Sequence, residues 1–477
     1  MLVRQIADSK LAQFAYLVGC PRSGEAIVID PERDVDRYFD EAARHKLRIV
    51  AAVDTHIHAD YLSGLREMAE RGVLVYASKM GGPDWQYEWL RGSHYPHRLL
   101  GHGDHFAIGF IEFQAVHTPG HTPEHLSYLV RDAGAGAKDF VALASGDFVF
   151  VGDVGRPDLL ERAAGMAGVM VPSARAQYGS IQHEFRPLPE FLQVWPAHGA
   201  GSACGKSLGD VPTSTVGYEL RTNRSIQAAS DEQTFVDFIL AGQPEPPLYF
   251  ARMKRDNRRG PALLPTMPVP PRVEPADVAG LQGRSDLVVL DTRSRHAYFA
   301  GHLAGSILAE LDYQFCSIAG SYVDEDTSIY LLVDEDRLDE AVRALIRVGL
   351  DRIVGYLTPE MLAAFERDGG QVSRTEVIDM AQMEARRVSG QARVLDVRGG
   401  VEFEAGHVPD AIHVPHTRVP LQLDTLPRDT PLLVQCNSGA RAAAVVSLLE
   451  RHGFRAVDVN DLFANYHQSD LKVGTSA

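Results

Sequence analysis

IVAAVDTHIHAD, residues 49–60, starts as an apolar run of strand length and ends in a polar loop carrying His56, His58 and Asp60. The same passage from buried strand to His- or Asp-bearing loop recurs in FIEFQAVHTPGHT (110–122), VALASGDFVFVGDVG (141–155) and EFLQVWPAHGAGS (190–202). These add His117, His121, Asp147 and His198. Four strands that end this way line up their side chains along one sheet edge, where loops converge. A neutral imidazole and a hard carboxylate oxygen are both donors for a divalent metal, so the constellation predicts a metal site. Upstream, FAYLVG (14–19) and EAIVID (25–30) read as strands, and VDRYFDEAARHKL (35–47) as a helix.

Working outward, residues 244–276 are rich in proline and mixed charge. Proline fixes φ and removes amide donors, which predicts a stiff extended linker between domains. Beyond it VVLDTRSRHAYFAGHLAGSI (288–307) and RVLDVRGGVEFEAGHVPDAI (393–412) superpose without a gap. Asp291 falls on Asp396, Arg293 on Arg398, Gly301 on Gly406 and His302 on His407. Each copy continues with a strand and a helix, predicting a small α/β domain with a parallel sheet, present twice. The expected layout is 1–243, a linker at 244–276, a first repeat at 277–372 and a second at 373–477.

Composition narrows the function classes. The 477 residues are too many for one ordinary core, at about 100–200 residues per domain. A net charge of −16 opposes nucleic-acid binding. No window approaches the ~18 apolar residues of a membrane span, and the N-terminus lacks the pattern of a secretion or transit signal. A cytoplasmic location is the expectation. Four cysteines (Cys20, Cys204, Cys316, Cys436) make neither a disulfide framework nor a C-x-x-C metal pair, so any that matters acts as a thiol.

The order T-H-x-H-A-D, H-T-P-G-H-T, G-D and A-H-G resembles the metallo-β-lactamase superfamily, which implies an αββα sandwich. Most hydrolases of that superfamily hold two metals and write H-x-H-x-D-H in the first motif. Here the last position is Tyr61, which removes one imidazole from a second site. LVRQ, AIVIDP, THIHADYLSG, HTPGHT and GDVGRPDL resemble the persulfide dioxygenase branch more closely, over roughly residues 1–240. That resemblance implies one Fe(II) per chain, held by His56, His117 and Asp147, with positions left open for a sulfur ligand and dioxygen. It implies oxidation of a small-molecule persulfide by O2 to sulfite, and a homo-oligomer. His58, Asp60, Tyr61, His121 and His198 are then expected around the ligands, orienting them. Arg156 matches a family position near the thiol-carrier pocket, with a structural ion pair as the equal alternative. Cys204, close in sequence to His198, is either a redox thiol facing the metal or, the favoured reading, a buried inert cysteine.

In the second repeat the strand PLLVQ ends at Cys436, and Asn437-Ser438-Gly439-Ala440-Arg441 follow before a helix. Such a loop curls so that amides and a helix N-terminus face the sulfur, favouring a thiolate that carries sulfane sulfur, with Arg441 beside it. C-x-x-G-x-R, together with L-D-V-R and A-G-H-V-P-D-A, resembles rhodanese. Cysteine phosphatases use C-x5-R, one residue longer. In the first repeat the equivalent position is expected to be acidic, near Glu335, leaving that copy catalytically silent. The two chemistries connect through sulfur. Cys436 either joins sulfite to sulfane sulfur to give thiosulfate, or loads a glutathione- or coenzyme A-type thiol to supply the dioxygenase. Two other readings are a thioester hydrolase of the glyoxalase II type with a sulfurtransferase tail, and a non-catalytic sulfur carrier or sensor.

Overall fold

In the computed structural model, which describes residues 1–163 and 165–466, the chain divides into two compact units. One holds residues 1–267 with 346–348, the other 268–345 with 349–477. The end of the expected 373–477 segment lies outside the described residues.

The first unit is built on two six-stranded sheets. Its first sheet runs in chain order through Leu2–Asp8, Gln13–Cys20, Glu25–Ile29, Arg48–Val53, Leu74–Ser78 and His97–Leu100. The opening pairs are antiparallel and the later ones parallel. The second sheet is ordered Ser214–Thr215, Gln193–Pro196, Ala142–Gly146, Leu126–Asp132, Ile111–His117, His105–Ile108. Side chains alternate across a strand, and Gln13–Cys20 shows how both faces are used. Tyr16 and Val18 join Phe113, Tyr128 and Trp195 between the sheets, whereas Ala15 and Leu17 face the layer containing Tyr38, Leu65 and Met68. The helix Met170–Ser180 contributes Ala174, and Glu232–Leu240 contributes Phe235 and Ile239, to the core on the far side of the second sheet. The result is the expected αββα sandwich.

The second unit contains two parallel sheets of matching topology. One is ordered Ile307–Leu308, Leu287–Asp291, Ser328–Leu332, Ile353–Leu357. The other is ordered Ile412–His413, Arg393–Asp396, Leu432–Gln435, Ala456–Val459, Val377–Ile378. The outer strand Val377–Ile378 has its counterpart in a single parallel bridge between Arg272 and Tyr356. Apart from residues 346–348, both repeats fall within one unit.

The stretch 244–276 corrects the expectation of an extended linker. It contains the helix Phe250–Arg259, with Phe250, Met253 and Asn257 buried. The prolines flank this segment without interrupting it: Pro246 and Pro247 precede the helix, and Gly260, at φ +97°, ends it before Pro261. Between them the buried positions follow helical spacing. None of the described helices is long and apolar enough to cross a membrane.

Candidate metal centre and cysteine loop

Loop 54–63 follows the strand Arg48–Val53, and its first ligand candidate is aimed by its neighbours. The Thr55 amide donates to Asp30 Oδ1 at 2.6 Å, and its hydroxyl donates to Asp30 Oδ2 at 3.0 Å. The same hydroxyl lies 3.0 Å from His56 Nδ1, so it accepts the Nδ1 proton and leaves Nε2 as a lone-pair donor. That Nε2 is buried without a hydrogen-bond partner. His121 is fixed likewise, with Nδ1 3.1 Å from the Arg156 carbonyl oxygen and Nε2 3.4 Å from Asp147 Oδ2. Asp147 Oδ2 is also buried without a partner, and lies 3.8 Å from His56 Nε2. Donor atoms of His56, His121 and Asp147 all lie within 4.8 Å of one another.

Protonation suits a cation. Burial holds the His56 imidazole well below its ordinary pKa and lowers that of His121 to about 4, so both rings are neutral at pH 7. Burial would raise Asp147, but the charge of His198 and its hydrogen bond hold the carboxyl below the usual range. Two neutral imidazoles and one carboxylate, with buried atoms turned inward, fit a single divalent metal.

His117 does not join this group, which corrects the expected ligand set. It closes the strand Ile111–His117, its ring half-buried and its Nε2 2.8 Å from the Pro123 carbonyl oxygen. The turn through Gly120, at φ +151°, brings His121 in its place. A Cβ at Gly120 would lie 2.4 Å from the Gln177 Cβ, so the tight passage requires glycine.

The remaining loop residues surround the triad. His198 Nε2 lies 2.8 Å from Asp60 Oδ2 while Nδ1 meets Asp147 Oδ1, and this pair of carboxylates raises its pKa against burial. Cys204 groups with Asp60 and His198 within 4.8 Å, buried, its thiol pushed up by burial and by the carboxylates of Asp60 and Asp147. His58 turns to Asp30 and Asp54. Burial opposes its charge, but those carboxylates raise its pKa to about 9. The Tyr61 phenol sits 3.0 Å from His58 Nε2.

Arg156 forms a structural ion pair, one of the two roles expected for it. It is fully buried, donates to both Asp158 oxygens at 2.8 and 2.7 Å, and reaches the Ala203 carbonyl oxygen at 3.3 Å. Its guanidinium is thus spent on the loop that holds Cys204.

Two residues missed in the sequence come from the helix Phe250–Arg259. Asn257 donates to the carbonyl oxygens of His58 and Tyr61 at 2.9 and 2.7 Å and accepts from the Ser63 amide at 2.8 Å. It clamps the first motif. One turn earlier, Lys254 lies 5.0 Å from the Trp85 ring centroid. Burial lowers its ammonium pKa against the carboxylates of Glu124, Asp147 and Asp60. Lys254, Arg255, Arg258, Trp85 and Ile57 line a cleft of about 380 Å³. An apolar groove of about 260 Å³, bounded by Trp85, Pro119, Gly120, Pro123 and Met166, reaches the backbone next to His121.

In the other unit, Leu432–Gln435 ends at Cys436, and the helix Ala440–Arg451 starts four residues later. Gly439, at φ +88°, donates its amide to Cys436 Sγ at 3.2 Å. Arg441 forms a two-pronged pair with Glu402 at 2.6 and 2.8 Å. Burial would lower its pKa, but Glu402 and Cys436 raise it. In the first repeat Asp291 pairs with Leu332, as Asp396 pairs with Gln435 in the second. The residue opposite Cys436 is therefore Val333, buried and apolar, and not an acid near Glu335.

Fold and donor set define a metallo-β-lactamase domain, and the chain belongs to the metallo-β-lactamase superfamily. Residues 9–198 match that superfamily and residues 379–464 match the rhodanese-like domain. A metallo-β-lactamase structure from Staphylococcus aureus is 37% identical, with a TM-score of 0.66, over 75% of this chain and 98% of its own. A probable metallo-hydrolase of Burkholderia pseudomallei is 30% identical over 264 residues, 50% of this chain and 84% of that protein. Persulfide dioxygenase ETHE1, mitochondrial, of Bos taurus is 27% identical over 203 residues, 42% of this chain and 68% of that protein.

Proposed function

We propose that the front domain oxidises a persulfide carried on a small thiol, and that Cys436 transfers sulfane sulfur. The observation that carries this reading is the pair of buried, partnerless atoms, His56 Nε2 and Asp147 Oδ2, facing His121. Because His198 occupies the other Asp147 oxygen and Tyr61 is engaged by His58, the donor set favours one metal over two. A ferrous ion there supplies the redox chemistry that dioxygen requires and zinc lacks.

In balance, persulfide, dioxygen and water give the thiol and sulfite, with two protons released. Lys254, Arg255 and Arg258 at the cleft suit the carboxylates or phosphates of a glutathione- or coenzyme A-type carrier. Trp85 and Met166 cover its apolar portion and exclude water. The protonated His198, between Asp60 and Asp147, holds a proton beside the reacting centre. Cys436 then converts sulfite to thiosulfate or supplies the persulfide. The first repeat, with Val333 in place of the cysteine, is a rhodanese-like copy that cannot carry sulfur.

A second reading is a hydrolase, which the Burkholderia metallo-hydrolase favours; its form here is a thioester hydrolase. Oxygen consumption by anaerobically purified, iron-loaded protein separates the two. Uptake of one O2 per sulfite formed from glutathione or coenzyme A persulfide supports the dioxygenase. Thioester cleavage with no oxygen uptake overturns it.

A further inference from the structure

We propose that Arg295, on the repeat with Val333 at the position of Cys436, is a positioning residue for the cysteine loop of the other repeat. The proposal rests on the sulfurtransfer reading of Cys436. Arg295 opens the short helix Arg295–Ala300, whose N-cap Ser294 accepts from the Ala297 amide. From there Nη2 donates to the Ser438 carbonyl oxygen at 3.2 Å, and Nε donates to Asn460 Oδ1 at 3.2 Å.

The first bond matters because of peptide geometry. The Ser438 carbonyl and the Gly439 amide belong to one planar trans unit and point in opposite directions. Holding the oxygen on one side therefore aims the N–H at Cys436 Sγ on the other, where it lies at 3.2 Å. A cation on the carbonyl also polarises the peptide and strengthens its N–H as a donor. The second bond fixes Asn460 against Gly439. A Cβ at Gly439 would stand 2.4 Å from Asn460 Oδ1, so side chain and loop are in close contact.

Two further bonds tie the same repeats together. Tyr322 donates to the His416 carbonyl oxygen at 3.0 Å, and the Leu308 amide donates to Ser447 Oγ, on the helix after the loop, at 2.9 Å. The repeat superposition places Arg295 opposite Gly400, so the active repeat has no arginine of its own at this position. The copy that lost its nucleophile thus supplies a group that orients its neighbour's.

The test compares the full-length parent with Arg295→Ala, Arg295→Gln and Arg295→Lys. Two quantities are read: kcat and KM for sulfur transfer from thiosulfate to cyanide, and the rate of Cys436 alkylation by iodoacetamide at pH 7. Loss of an aimed donor at a charged centre costs up to about 10²–10³ in rate, and loss of its anchor is expected to cost about tenfold in kcat. KM should stay within about twofold, alkylation should slow, and lysine, which keeps the charge and one donor, should recover part of both rates. Parent kcat and parent alkylation in Arg295→Ala overturn the proposal. If the alanine variant does not fold, Arg295→Gln carries the same comparison with neutral, similarly sized packing. A parent without sulfur transfer overturns the reading of Cys436, and alkylation then decides on Arg295 separately: slower supports it, unchanged overturns it.

Discussion

His198 Nδ1 lies 2.8 Å from Asp147 Oδ1. The contact takes one carboxylate oxygen out of competition and turns the other, Oδ2, toward His56 and His121. Partners that orient a metal ligand typically contribute about 10- to 100-fold in affinity. His198→Ala should weaken iron binding by about that factor, measured by chelator competition, and His198→Gln should recover part of it. Unchanged affinity in the alanine variant would mean that Asp147 needs no such orientation.

Thr55 stands between Asp30 and His56, and one hydroxyl serves both. Thr55→Val keeps the shape and removes the hydroxyl, whereas Thr55→Ser keeps it. Iron affinity should fall about 10-fold or more in the valine variant and stay near the parent in the serine variant. Equal affinity in the two would show that the Nδ1 contact does not fix the ring.

Asn257 satisfies three backbone groups of the first motif. Buried groups left without a partner cost about 1–3 kcal/mol each, less where water enters, so Asn257→Ala should destabilise the front domain by about 2–4 kcal/mol in urea unfolding. A loss well under 1 kcal/mol would mean that the clamp is dispensable.

Asp458 is buried with both carboxylate oxygens lacking partners. Burial, countered by Arg295 and reinforced by Glu450, raises its pKa to about 8. A carboxyl raised in the folded state contributes stability that is full below its unfolded pKa of about 3.9 and is lost as pH rises through about 8. Asp458→Asn does not ionise. Its melting temperature relative to the parent should therefore climb between pH 5 and pH 9, and a gap constant across that range would contradict the assignment.

Thiosulfate yield in Cys436→Ser decides the direction of sulfur flow. A marked fall, with sulfite accumulating, is expected if Cys436 consumes the sulfite. An unchanged yield removes that scheme.

Much of the centre was legible because each motif closes a strand: His56, Asp147 and His198 all reach it from the ends of predicted strands. The choice between His117 and His121 was not legible. Three residues of one motif separate them, and only the turn at Gly120 decides which ring faces inward. Lys254 and Asn257 were hidden for a different reason. Flanking prolines masked a ten-residue helix whose contacts lie far away in sequence. Arg156 had a local signal, since Asp158 in the same G-R-P-D run is its partner. Val333 needed the strand register, because the acidic residues after it drew the alignment past the true position.

Iron per chain in anaerobically purified protein, compared between the parent, His121→Ala and His117→Ala, bears most directly on the single-metal centre. The expected result is close to one iron in the parent and in His117→Ala, with nearly complete loss in His121→Ala. Two metals per chain, or loss on changing His117 with retention on changing His121, would contradict it.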